Sequence, residues 1–144
     1  MRAATSIHTR SLTPDDADAV AGLAVRLGGH ENAADRSSLL SRLDRGAIAL
    51  AAEAGGRLVG YAAGEVRAGF DLGPAGWVEA FAVDLEWRGH GVGRALATEL
   101  LRRFQEAGAA RVYTLVPLHD RSLGPFFRQL GFRDEPLACL GRAL

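Results

Sequence analysis

The sequence predicts an α/β domain whose central sheet is mixed, antiparallel first and parallel later, with helices on its flanks. Two observations carry this reading. The succession of apolar runs and turn signals is β-α-α-β-β-β-α-β-α-β, a meander followed by βα units. In addition, the stretch from Trp77 to Glu106 passes directly from an apolar run through a glycine-rich turn into an amphipathic helix.

In chain order, Ala3 to Ser11 alternates weakly and reads as a first strand. Thr13-Pro14-Asp15-Asp16 is a helix start, with Thr13 as N-cap, proline at the first position and acids in the first turn. That helix carries Ala17, Val20, Leu23 and Leu27, and Gly28-Gly29 stops it. A second helix runs through Leu39, Leu40 and Leu43 to near Gly46, with Asp35 or Ser37 as its cap. Ala47 to Glu53 is an apolar strand, Gly55-Gly56 a hairpin turn, and Arg57 to Val66 the partner strand. Ala68 to Gly76 reads as a loop, and Trp77 to Leu85 as the fourth strand. After the central helix, Arg111 to Val116 is a strand closed by Pro117. Asp120 or Ser122 caps a short helix ending at Gly131, and Phe132 to Leu140 is a last strand.

The central turn reads Arg88-Gly89-His90-Gly91-Val92-Gly93-Arg94. Beyond it, Val92, Leu96, Leu100 and Phe104 recur every four residues and so share one helical face. The first amides of a helix lack intrahelical acceptors, and the helix dipole adds partial positive charge there. Glycines without Cβ let backbone approach a bulky anion, which makes this turn a phosphate or pyrophosphate site. Arg88 and Arg94 supply further charge, and His90 lies within the turn. A Walker loop is excluded because the chain contains no lysine. A dinucleotide fingerprint is excluded because the third glycine comes one place early and the unit lies mid-chain.

At 144 residues the chain fits one domain, able to bury about two thirds of its unfolded surface. A net charge of +0 and pI ≈ 6.9 provide no field for nucleic acid or an anionic membrane. No signal-peptide pattern opens the chain, and no apolar run is long enough to span a bilayer. A single cysteine, Cys139, excludes an internal disulfide and suits the cytoplasm. Four histidines and one cysteine show no metal-ligand spacing, so no metal is expected.

The motif Arg88-x-x-Gly91-x-Gly93 resembles the (Gln/Arg)-x-x-Gly-x-(Gly/Ala) signature of the GCN5-related N-acetyltransferases. Upstream, Glu79-Ala-Phe-Ala-Val83 is similar to that family's fourth strand. Downstream, Phe126 to Phe132 (FFRQLGF) is similar to its late helix and following strand. The resemblance covers residues 76 to 133 well, and the earlier residues only in their order of elements. It implies that the turn holds the pyrophosphate of acetyl-coenzyme A. Phe81, Ala82, Val83, Asp120 and Phe127 would complete the cofactor site.

The family reaction is direct acetyl transfer from the thioester to an amine. An amine is protonated near neutral pH, so a group must take its proton first. The resemblance points to Glu79 as that base, directly or through a water. Within the apolar run from Trp77 to Val83 its carboxyl is expected to be desolvated and its pKa raised. The family's tyrosine acid would fall at Phe127, which has no proton to give. Ser122, His119, Tyr113 or water could serve instead, or the thiolate could leave unassisted.

The acceptor rim implied by the family is Leu27 to Asp35 together with Ala68 to Gly76. Glu31, Asp35 and Asp71 make it mildly acidic, suited to a cationic amine. A small amine, an amino-acid derivative, an aminoglycoside or a protein N-terminus would all be compatible, and so would a homodimer. The alternative is a non-catalytic coenzyme A-binding sensor or interaction module, suggested by the missing tyrosine.

Overall fold

The computed structural model describes residues 5–27 and 33–144. Its sheet has five strands in chain order: β1 (Ile7–Ser11), β2 (Ile48–Ala54), β3 (Arg57–Arg67), β4 (Ala75–Val83) and β5 (Arg111–Thr114). The first four pair antiparallel and β5 joins β4 in parallel, which is the mixed sheet expected. The parallel pair needs a crossover, and the central amphipathic helix α3 (Val92–Glu106) supplies it. The helices α1 (Ala17–Arg26) and α2 (Ala33–Asp44) precede β2, and α4 (Leu123–Gln129) follows β5.

The two faces have separate cores. On one face Leu50, Val59 and Val78 of the sheet pack with Leu96, Leu100 and Phe104 of α3 and Phe127 of α4. Phe104 lies flat on the sheet because Gly64 and Gly76 leave room for it. A Cβ on either glycine would come within 2.5 or 2.6 Å of the ring. Against α1 and α2 the core is smaller, built on Leu12, Val20, Leu39, Ala49, Ala51 and Ala63.

Several boundaries differ from expectation. β1 begins at Ile7, with Ala3 and Ala4 outside the described residues, as is the Gly28-Gly29 stop. The first turn after Thr13 is a 3-10 helix, in which Asp16 accepts the Thr13 N–H at 2.8 Å. α2 starts at Ala33, so Asp35 and Ser37 lie inside it and neither caps it. Ala75 and Gly76 belong to β4 rather than to the preceding loop, and β4 ends at Val83.

β5 stops at Thr114, before the expected end at Val116. The expected last strand, Phe132 to Leu140, does not form. Among the described residues, no backbone hydrogen bond ties 133–144 to β5, and Pro136 interrupts the run.

Candidate active site

β4 and β5 pair from Ala75↔Arg111 to Val78↔Thr114 and then part. From Glu79 to Val83, β4 keeps β3 on one side and, among the described residues, has no strand on the other. The opening faces the start of α3. Its first helical bond is Ala95 N–H to the Gly91 carbonyl at 3.0 Å, so the amides of Val92, Gly93 and Arg94 have no intrahelical acceptor. No acidic residue lies in that first turn, and no side chain caps it. Gly91, the N-cap, has φ +84 and Gly89 φ +79, both with open space where a Cβ would point. An uncapped, acid-free helix start behind an open turn fits a pyrophosphate.

Gly93 also has a packing role. A Cβ there would meet the Phe126 ring at 3.1 Å, so this glycine lets α4 close against α3. Phe126 in turn stacks on Phe81 at 5.3 Å, beside the parted strands. Arg88, His90 and Arg94 are exposed around the turn. His90 Nδ1 lies 3.0 Å from the Arg88 carbonyl, which holds the ring in place. Ala82 and Val83 border the opening on β4.

The approach to the turn is anchored by a residue that sequence reasoning passed over. Asp84 is buried, accepts the Glu86 N–H at 3.1 Å and pairs with Arg26 Nη2 at 3.1 Å. It ties the short 3-10 turn Leu85–Trp87 to the last turn of α1.

Glu79 lies where β4 leaves β5, and it is the extra residue of a β-bulge. Ala63 faces Ala80 and Gly64 faces Val78, so Glu79 has no opposite residue on β3. Bulges redirect side chains in this way next to active sites. The carboxylate is mostly buried, with 17% of its side chain exposed, but it has charged partners there. It pairs with Arg67 of β3 and lies 4.0 Å from Arg42 of α2.

Arg67 also pairs with Glu65 at 2.8 Å, and hydrogen bonding from Arg67, with Arg45 nearby, holds the Glu65 carboxyl below the usual range. Two carboxylates on neighbouring strands therefore share one half-exposed guanidinium. Glu65 and Arg67 were legible as charges two apart in an otherwise apolar strand, a pattern that places both on one face.

The proposed substitutes for the missing tyrosine are mostly engaged elsewhere. Asp120 accepts from the N–H groups of Ser122 at 2.9 Å and Leu123 at 3.0 Å, and from the Ser122 hydroxyl at 2.9 Å. Both residues thus build the start of α4, and the Leu123 and Ser122 amides hold the Asp120 carboxyl below its ordinary range. The Tyr113 hydroxyl accepts from Arg111 Nε at 3.1 Å, and its ring lies 5.0 Å from Trp77. His119 is exposed. Phe127 is buried in an aromatic cluster, 5.4 Å from Phe81 and 5.1 Å from Phe132.

Of the implied acceptor rim, Glu31 lies outside the described residues, as does the Asp35 side chain. On the other side, Phe70 (φ 52) and Asp71 (φ 58) both adopt left-handed backbone, and the Phe70 ring is 94% exposed. A bulky residue in that region is unusual and marks a constrained loop tip.

The Acetyltransferase (GNAT) family model matches residues 18–132, and the chain belongs to that family. Membership makes it an N-acetyltransferase that draws its acetyl group from acetyl-coenzyme A. An aminoglycoside N(6′)-acetyltransferase type 1 from Stenotrophomonas maltophilia is 32% identical over 87% of this chain and 85% of its own.

Two solved structures show the same fold at lower identity. The aminoglycoside N-acetyltransferase AAC(6′)-Iy in complex with CoA matches at 18% identity with a TM-score of 0.88, over 99% of this chain and 98% of that one. A ribosomal-protein-alanine N-acetyltransferase from Brucella melitensis biovar Abortus 2308 matches at 23% with a TM-score of 0.80, over 96% and 99%. Among the described residues, no group of three or more His, Cys, Asp or Glu could hold a metal ion. No helix there is long and apolar enough to cross a membrane.

Proposed function

We propose that this protein acetylates a primary amine of a small polycationic molecule, with an aminoglycoside as the favoured class. The observation that carries the reading is the position of Glu79, bulged out of β4 where β4 and β5 part. The relative from Stenotrophomonas maltophilia supports the acceptor class.

Acetyl-coenzyme A supplies the acetyl group as an activated thioester. The amides of Val92, Gly93 and Arg94, with the Arg88 guanidinium, hold its pyrophosphate. The free side of β4 from Glu79 to Val83 orients the rest of the chain of the cofactor. Glu79 takes the proton from the acceptor ammonium and leaves a neutral amine ready to attack. Arg67 stands in for that ammonium when no acceptor is present, and Glu65 receives a second positive group of the same molecule. The sulfur leaves as thiolate, which water protonates, since Phe127 is buried and carries no proton.

Coenzyme A release, followed across a panel of aminoglycosides, simple amines and peptides, tests this reading. Release should be fastest with polycationic aminosugars. Glu79→Gln should lower kcat/KM by roughly 10²-fold, the size of an ordinary general-base contribution, with cofactor affinity unchanged. Turnover of Glu79→Gln equal to wild type would place the base elsewhere. Turnover of peptides alone would overturn the acceptor class.

A further inference from the structure

Two charged residues are buried among those described, Asp16 and Asp84. Asp16 is held by Arg10 of β1, away from the parted strands. Asp84 directly follows the free side of β4 and precedes Arg88 by four residues. A buried carboxylate at the root of an anion-binding turn is a liability twice over. Its desolvation is costly, and left uncompensated its charge would repel a pyrophosphate.

The fold answers both with one cation. Arg26 Nη2 meets Asp84 Oδ2 at 3.1 Å, while Oδ1 accepts the Glu86 N–H at 3.1 Å. Among the described residues, this is the one ion pair between α1 and the segment 84–94.

Asp84 is also held through its main chain. Its N–H donates to the Val59 carbonyl at 2.8 Å, and its own carbonyl accepts the Trp87 N–H at 2.9 Å. The 3-10 turn Leu85–Trp87 then delivers the chain to Arg88. Beyond that point, the contacts of His90 stay inside the segment, on the Arg88 carbonyl and the Trp87 ring. The turn is therefore suspended between two anchors. Buried Val92 fixes its far end at the head of α3, and Asp84 fixes its root.

Arg26 brings to that root a helix held firmly in place. It is the last residue of α1, three after the fully buried Leu23, and Val20 of the same helix packs among Leu39, Ala49 and Ala63. The Arg26 side chain itself stays half exposed, so it contributes charge and direction rather than packing.

The geometry points to Arg26 as a positioning residue for acetyl-coenzyme A. Acting from α1 through Asp84, it fixes the Arg88 end of the turn and cancels the carboxylate charge at its root. The inference rests on the reading of residues 88–94 as the pyrophosphate site.

Isothermal titration with coenzyme A tests it, on variants whose fold is checked by circular dichroism. Arg26→Ala should weaken binding by about tenfold, the scale of residues that act through a neighbour. Arg26→Lys should recover most of the affinity, because the pair is made through one nitrogen. In an Asp84→Asn background, Arg26→Ala should have little further effect, since its target is already gone. Arg26→Met keeps the apolar stem and serves as the second variant should Arg26→Ala not fold.

Wild-type affinity in the folded Arg26→Ala or Arg26→Met protein would overturn the inference. A loss that persists in full beside Asp84→Asn, or that Arg26→Lys does not repair, would also overturn it, because Arg26 would not be acting through Asp84. Gly91→Val, titrated alongside, separates the two ways of failing. If it keeps full affinity, the turn does not hold the pyrophosphate and the inference falls with that reading. If it loses affinity while Arg26→Ala does not, the reading stands and the role of Arg26 alone falls.

Discussion

Against α3 the sheet presents glycine and takes up large rings and leucines. Against α1 and α2 it presents alanine and, toward β3 and β4, paired charge. Phe104 on the first face is fully buried over Gly64 and Gly76, whereas Arg67 on the second is half exposed between Glu65 and Glu79. The division suits a two-substrate transferase. The densely packed face fixes the start of α3, where the proposed site would hold a large anion in one place. The charged face can exchange its own guanidinium for the ammonium of an incoming molecule.

The largest test of this division removes its best-packed residue. Phe104→Ala should cost about 3–5 kcal/mol in chemical denaturation, because the cavity lies over glycines that cannot fill it. A loss below about 1 kcal/mol would mean the α3 face is not the rigid one.

Gly91→Val strains the left-handed N-cap without touching another residue, since an added Cβ there meets nothing within 4 Å. Acetyl-coenzyme A at a hundredfold its Kd should stabilise wild type by about 2.7 kcal/mol, read as a rise in Tm, and this variant should lose that rise. Gly93→Val is not equivalent, because its side chain would press on Phe126. A folded Gly91→Val protein with the full shift would remove the pyrophosphate from this turn.

On the charged face, Arg10 hydrogen-bonds Asp16 in a bidentate pair, both bonds at 2.8 Å, and holds its carboxyl below the usual range. A depressed folded-state pKa contributes stability that is complete above the unfolded value of about 3.9 and fades as pH falls through the lower folded value. Asp16→Asn should therefore cost about 1–2 kcal/mol at neutral pH and progressively less below pH 4. Denaturation curves at pH 7 and pH 3 that differ equally from wild type would contradict this.

The smallest effect concerns Arg67→Ala. Removing the placeholder should lower KM for polycationic acceptors by less than about tenfold, as expected for exposed ion pairs, and leave monoamines nearly unchanged. A raised KM would mean that Arg67 binds the acceptor rather than yielding to it.

What the chain determines by itself is local and periodic. The four-residue recurrence from Val92 to Phe104 dictates α3 and its buried face, and Gly55-Gly56 dictates the hairpin between β2 and β3. The turn from Arg88 to Gly93, with a helix directly behind it, dictates a helix start without a side-chain cap, on which the proposed pyrophosphate site rests. These follow from backbone conformation and hydrogen bonding over a few residues, which neighbours in sequence control.

Tertiary structure decided the rest. The bulge that isolates Glu79 depends on how β3 registers against β4, and its pairing with Arg67 and Arg42 on the approach of a second strand and of α2. The fate of Phe132 to Leu140 shows the same dependence. Its composition suits a strand, but a strand exists only where another edge meets it with free amides and carbonyls. Among the described residues no such edge meets the tail, so the run stays unpaired whatever its composition.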